Sequence, residues 1–284
     1  TLRKESLEQS RVIVEAAAAD HQGDPARVKI GDYYNAFIDE GRIEALGIEP
    51  IADYLEQINT LKTHRDIVAF FGSSNPAGID APFNLYVGQD DKDATSYILH
   101  LVQSGLGLPD RDYYSDSSER GMEITGRYKT YLAELLSLSG HTEASAAAER
   151  IFTLESQLAE HQWNKIDNRD ADKRYNKVTA KEFLTMLSNL DVETYLLGIG
   201  IELPETVIVV QPSYLSAFNQ LFTQVEVESW KDYLRANVLS SYANYLPKAF
   251  VETRFDFYSK FLYGRQEQQP RWRKAISSIN GNLG

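Results

Sequence analysis

Apolar side chains recur along most of the 284 residues at spacings of three and four, the period of an amphipathic helix. Leu2 to Ala19 is rich in helix formers. Asp24-Pro25 opens a second helix, with Pro25 suited to the first helical position, and the segment carries Val28, Ile30, Tyr33, Tyr34, Phe37 and Ile38. Pro50 starts another through Ile51, Tyr54, Leu55, Ile58 and Leu61, and His64 to Phe71 completes the helical opening. After the break at Gly72 to Gly78 the period changes to two. Phe83, Leu85 and Val87 alternate with Asn84 and Tyr86, and Tyr97, Leu99 and Leu101 alternate with Ile98, His100 and Val102. The acidic turn Gln89 to Ala94 joins these runs, which predicts an antiparallel hairpin.

Helical spacing returns after Pro109. Tyr128, Tyr131, Leu132, Leu135 and Leu138 share a face, and Gly140 stops that helix. Thr142 is placed to cap a long helix reaching about Trp163, with Ile151, Leu154 and Leu158 on one stripe. Thr179-Ala-Lys-Glu182 has the form of a capping box. Val207 to Val210 is a short buried strand candidate, and Pro212 opens a helix through Leu215, Phe218 and Leu221. Trp230 to Leu246 puts Leu234, Val238, Tyr242 and Tyr245 on one side, and Pro247 to Tyr263 and Arg271 to Ile279 read as two more helices. The pattern predicts a mainly α fold: a large multi-helix lobe with a small antiparallel β-hairpin, without repeats or a clear linker.

Composition narrows the functional classes. The formal net charge of −12 argues against nonspecific binding to nucleic acid or anionic membranes, which needs clustered cations. No apolar run approaches the roughly 20 residues of a membrane helix. The chain has no cysteine, so disulfides and thiolate metal sites are excluded. It begins at Thr1 with no signal-peptide pattern and ends at Gly284 with no evident stop, so both ends read as cut points in a longer protein.

Candidate chemistry is sparse. The five histidines, His21, His64, His100, His141 and His161, are never three or four residues apart, so no helix presents two of them to zinc. Asp90, Asp91 and Asp93 cluster in the hairpin turn but lack the glycine and terminal glutamate of a calcium loop, and read as a solvated turn. Serine-nucleophile and phosphate-loop motifs are absent. Arg271-Trp-Arg-Lys274 is a small basic patch best read as a helix start.

The most informative stretch is Gly105-Leu-Gly-Leu-Pro-Asp-Arg-Asp-Tyr-Tyr114. Its glycines permit backbone forms barred to other residues, Pro109 fixes a helix entry, Asp110 and Asp112 are placed to cap it, and Tyr113 and Tyr114 to anchor it. With Leu85 to Lys92, Tyr175 to Thr179, Val209 to Leu215, Phe255 to Tyr258, and Arg271 to Arg273 leading into Asn280 to Gly284, it resembles, block by block and in order, the N-terminal region of neprilysin-like and endothelin-converting-enzyme-like zinc metallopeptidases. The His-Glu-x-x-His motif of those enzymes is missing from these residues.

The resemblance implies that residues 1–284 form the non-catalytic, cavity-capping region of a metalloendopeptidase, inactive alone. It implies a substrate class of short peptides, a catalytic lobe of the same protein as partner, and zinc bound in that lobe, with none expected on this chain. It implies a periplasmic, cell-envelope or extracellular location. Ala275 stands where animal members usually carry a disulfide-forming cysteine, which points to a bacterial-type member. Leu2-Arg3 matches a family segment whose arginine binds the C-terminal side of the peptide, making Arg3 the candidate substrate-binding residue. The alternative is a free-standing helical peptide-binding or scaffold protein derived from that lobe.

Overall fold

A computed structural model of the chain describes residues 2–20 and 22–283, with side chains on the first helix from Glu5 onward. The chain packs as two compact units, one formed by Thr1–Pro50 with Ala243–Gly284 and the other by Ile51–Tyr242.

The first unit opens with α1 (Leu2–Ala18), α2 (Pro25–Ile38) and α3 (Glu40–Leu46). Asp24 caps α2 by accepting from the Ala26 N–H, with Pro25 in the first turn as expected. α3 was not evident from the hydrophobic period. Asp39 ends α2 and caps α3 through the Arg42 N–H, so one aspartate breaks what would otherwise read as a single helix.

Pro50, where the opening stretch of the first unit ends, lies in a short 3-10 turn, and α4 (Ala52–Thr60) begins the helices of the second unit just after it. Next come α5 (His64–Ser74), β1 (Phe83–Asp90), β2 (Asp93–Gln103), α6 (Glu119–Leu138), α7 (Ala144–His161) and α8 (Ala171–Arg174). They are followed by β3 (Lys177–Thr179), α9 (Ala180–Met186), α10 (Val192–Ile199), β4 (Thr206–Val209), α11 (Pro212–Gln224) and α12 (Val227–Tyr242). The capping box at Thr179 and Glu182 forms as read. Thr142 does not cap α7: Glu143 takes that position without a side-chain bond, and the helix ends at His161. The chain then re-enters the first unit. There α13 (Lys248–Arg254) runs into a π-helical stretch, Phe255–Leu262, and α14 (Arg271–Asn282) closes the unit.

The expected hairpin is present, with β1 and β2 antiparallel from Phe83↔Gln103 to Gln89↔Tyr97 and an irregularity at Asp90. It is part of a four-stranded mixed sheet of order β1-β2-β4-β3. β4 adds parallel to β2, pairing Leu99 with Val207, and β3 adds antiparallel to β4. A parallel neighbour requires a long crossover, supplied here by the helices between β2 and β4. β4 is apolar on both faces because both are covered, and Val207, Ile208 and Val209 are almost fully buried.

An aromatic cluster fills the second unit. The Trp230 ring meets Phe71 at 5.8 Å and Phe222 at 5.5 Å, and its Nε1–H donates to the Phe222 carbonyl at 3.1 Å. Above it Asp232 of α12 is 3% exposed. The Arg150 Nε–H donates to one carboxylate oxygen at 2.7 Å, and His141 Nε2 lies 3.2 Å from the other. The Glu143 N–H donates to His141 Nδ1 at 3.2 Å, which leaves the proton on Nε2 to face the carboxylate. One buried charge thus joins α12 to α7 and to the connection that precedes α7.

Replacing Asp232 with Asn is expected to cost about 1–3 kcal/mol, below the usual figure for a broken buried pair because Arg150 is partly exposed. Urea unfolding followed by tryptophan fluorescence checks this, and a loss indistinguishable from zero contradicts it.

Candidate functional site

The segment Gly105–Tyr114 is held from several sides within the second unit. Its short 3-10 helix, Arg111–Tyr114, is capped by Asp110, which accepts from the Asp112 N–H; Asp112, the other expected cap, lies inside the turn. Tyr114 stacks on Phe152 of α7 at 5.6 Å, accepts from the Leu108 N–H at 3.0 Å, and donates to Glu155 Oε2 at 2.7 Å. Tyr128 of α6 donates to Glu155 Oε1 at 3.0 Å, and the Gly107 N–H donates to the same carboxylate. Glu155 is 1% exposed. Burial pushes its pKa up to about 7, against the opposing pull of the three donors.

The two glycines have steric reasons. A Cβ on Gly107 would lie 1.8 Å from the Tyr128 hydroxyl oxygen. Gly105 has φ +89°, and a Cβ there would meet the Tyr233 hydroxyl oxygen at 2.5 Å and Pro82 Cα at 2.6 Å. The Tyr233 hydroxyl donates to the Gly105 carbonyl at 2.9 Å.

Further bonds fasten the end of β2 just upstream. The Gln103 side chain pairs reciprocally with the Trp163 backbone, donating to its carbonyl at 3.0 Å and accepting from its N–H at 2.7 Å. The Gln103 N–H donates to Gln211 Oε1 at 2.9 Å, and the Gln162 side chain donates to the Ser104 carbonyl at 2.7 Å. Tyr214 donates to the Pro82 carbonyl at 2.7 Å. Arg111 reaches the Gln162 carbonyl. At the hairpin tip Asp90, 2% exposed, accepts from Tyr175 and Lys177 at 2.9 Å and from the Lys92 N–H at 3.0 Å. The Lys177 ammonium is the main cause holding Asp90 down to about 2. Asp93 turns instead to Thr95 and Ser96.

In the first unit Ala275 is fully buried with Ile276, Ile279, Val14, Tyr34 and Phe37. Arg271 lies over the Phe37 ring at 5.0 Å and donates to the Phe37 carbonyl at 2.6 Å. The basic patch at the start of α14 is thus a joint to α2.

The side chain of Arg3, the candidate substrate contact, lies outside the described residues, as does His21. His64 bonds the Val225 carbonyl, His141 is engaged with Asp232, and His100 is buried against the Tyr86 ring at 4.7 Å. Among the described residues no three His, Asp or Glu side chains gather as metal donors, so this donor set does not fit a zinc ion. The Glu155 carboxylate faces tyrosines and backbone of its own chain, which makes it an anchor for the segment. Glu155 was not among the residues singled out from the sequence; its signal was an acid in register with Ile151, Leu154 and Leu158 on the apolar stripe of α7.

These joints belong to a known architecture. The N-terminal model of Peptidase family M13 matches residues 1–284, and the chain belongs to that family of peptidases. It is 27% identical over 272 residues to mouse endothelin-converting enzyme 1, covering 89% of this chain and 34% of that protein. It is 25% identical to mouse neprilysin, covering 88% of this chain and 37% of that protein. The structure superposes on the Mycobacterium tuberculosis zinc metalloprotease Zmp1, crystallised with an inhibitor, with a TM-score of 0.93 and 30% identity over 99% of this chain and 43% of that one. PepO of Lactobacillus rhamnosis shares the fold, with a TM-score of 0.82 at 20% identity over 98% of this chain and 45% of that one. The chain therefore spans about a third of the length of these curated relatives.

Gly107→Ala is expected to destabilise the chain by roughly 2–4 kcal/mol, because Tyr128 must leave a buried acceptor. Gly126→Ala in α6, where nothing lies within 4 Å, is the control and should be neutral or stabilising. Parallel denaturant titrations decide.

Glu155 also predicts a pH dependence. Its folded pKa of about 7 exceeds the ordinary 4.5, so the folded state holds the proton longer. The stability this proton gives is complete below the ordinary carboxylate pKa and is lost as pH rises toward 7. The stability gap between the native chain and Glu155→Gln should narrow by roughly 1–3 kcal/mol from pH 5 to pH 8. Unfolding at both pH values measures it, and a gap that widens excludes this origin.

Proposed function

We propose that this chain is the N-terminal, substrate-restricting lobe of a zinc metalloendopeptidase that hydrolyses short peptides, and that the catalytic zinc lobe is carried by polypeptide outside these residues. The observation that carries the reading is the match of the family's N-terminal model to the whole chain, at about a third of the relatives' length.

In this reading the lobe walls a reaction chamber. Its residues bind and orient peptide and admit only short, flexible chains. The fastened segment Gly105–Tyr114 supplies rigidity, since a wall that excludes folded proteins must not deform. Arg3 contacts the C-terminal side of the peptide, where a guanidinium pairs with a carboxylate or donates to carbonyl oxygens. The partners are peptide substrates and the catalytic lobe of the same protein, and the setting is the periplasm, cell envelope or exterior. Among the described residues no helix is long and apolar enough to cross a membrane.

The purified 284-residue chain should show no hydrolysis of a short fluorogenic peptide with zinc added. The full protein containing it should cleave that peptide and spare a folded protein. In the full protein, Arg3→Gln should raise KM for peptides with a free C-terminus about tenfold, with less effect on C-terminal amides. Stoichiometric zinc and real turnover on the isolated chain would defeat the proposal.

A further inference from the structure

A pocket of about 390 Å³ opens within the unit formed by Thr1–Pro50 and Ala243–Gly284, a volume in the range that holds small ligands. Its charge is unlike that of the chain. Arg254, Arg265 and Lys274 line it against one acid, Glu267, although the whole sequence carries −12. Like charges so placed repel one another, so an anion entering the pocket gains from all three. The cations come from three places: the end of α13, the loop before α14, and α14 itself.

The wall explains what kind of anion fits. The Phe37, Tyr245 and Phe255 side chains contribute aromatic surface and Ser259 a hydroxyl, while the Ser278 hydroxyl is engaged by Tyr33 and Tyr245. A bare inorganic ion would leave that aromatic surface wet. The π-helical stretch Phe255–Leu262 supplies both Phe255 and Ser259, and such irregular turns are frequent at functional sites. The Arg254 guanidinium lies 4.9 Å over the Tyr258 ring, which limits the rotamers it samples. Lys274 donates to Gln268 Oε1 at 2.6 Å, and its pKa is lowered, chiefly by burial and then by Arg271. Glu40 already opposes that shift, and a bound carboxylate would add to the opposition.

We infer that this pocket binds a small organic carboxylate with an aromatic or apolar body, an inference independent of the peptidase reading. A free acid and the C-terminal residue of a peptide present the same chemistry, and the test separates them. The probe is N-acetyl-p-benzoylphenylalanine, photo-crosslinked to the full protein and mapped by mass spectrometry, beside its C-terminal amide and a tripeptide ending in the same residue. The free acid should label residues lining the pocket, and the amide about tenfold less. Arg265→Gln should cut labelling several-fold and Glu267→Gln should raise it; both side chains are exposed, so folding should be preserved. Tripeptide labelling at the same residues assigns the site to peptide ends, and its absence to free acids. Equal labelling by acid and amide, labelling confined to other residues, or indifference to both substitutions overturns the proposal.

Discussion

The buried carboxylate of Glu155 is the constraint around which the second unit is organised. A carboxylate removed from water must be protonated or surrounded by donors, and here both solutions compete. Tyr114, Tyr128 and the Gly107 N–H all point at it, while burial favours the neutral acid. To present three donors at one carboxylate, the chain must bring α6, α7 and the segment after β2 to a common point. Gly107 has to approach so closely that no side chain fits. Tyr114 is held at both ends of its hydroxyl, donating to Glu155 and accepting from Leu108, so the segment is tied back on itself. The path Gly105–Tyr114 therefore follows from one acid on a helix face that is otherwise apolar.

Several of the other blocks by which the sequence resembles its family are also contact partners. Asp90, in Leu85–Lys92, binds Tyr175 and Lys177, in Tyr175–Thr179. Gln211 and Tyr214, in Val209–Leu215, bind the backbone at Gln103 and Pro82, beside the Gly105 segment. Arg271, at the start of α14, binds the backbone of α2. The blocks are far apart in sequence because each is one half of a joint. Such halves resist substitution more than the helix surfaces between them, since a lone partner would leave a buried polar group unpaired.

Much of this fold was legible in the sequence. Helices with proline in the first turn, a capping box or a long apolar stripe were found with little error, because those signals are local. α3 was missed because Asp39 caps a helix of seven residues too short to show a period. The hairpin was legible from alternation, but the parallel addition of β4 was not: Val207 to Val210 marks a buried strand without naming its neighbour. β3, three residues long, gains its identity only from pairing with β4. The site was legible as a motif and opaque as a mechanism. Gly105, Gly107 and Tyr114 read from the sequence as turn and anchor residues, yet Glu155, to which Tyr114 binds, lies 41 residues away and is marked only as an acid on the apolar stripe of α7.

The two kinds of interaction in the second unit do separate work. Trp230, Phe71, Phe218 and Phe222 bury large rings whose contacts are tolerant of small rotations. The joints at Gln103, Asp90, Tyr114 and Tyr214 are directional, and most of them end on backbone atoms. A ring can slide by a fraction of an ångström and lose little, whereas a carboxamide pairing both ways with one backbone residue cannot. The apolar cluster thus makes the unit stable, and the polar joints determine where the loops between its helices run. The joints therefore carry the shape that the loops present at the surface of this unit.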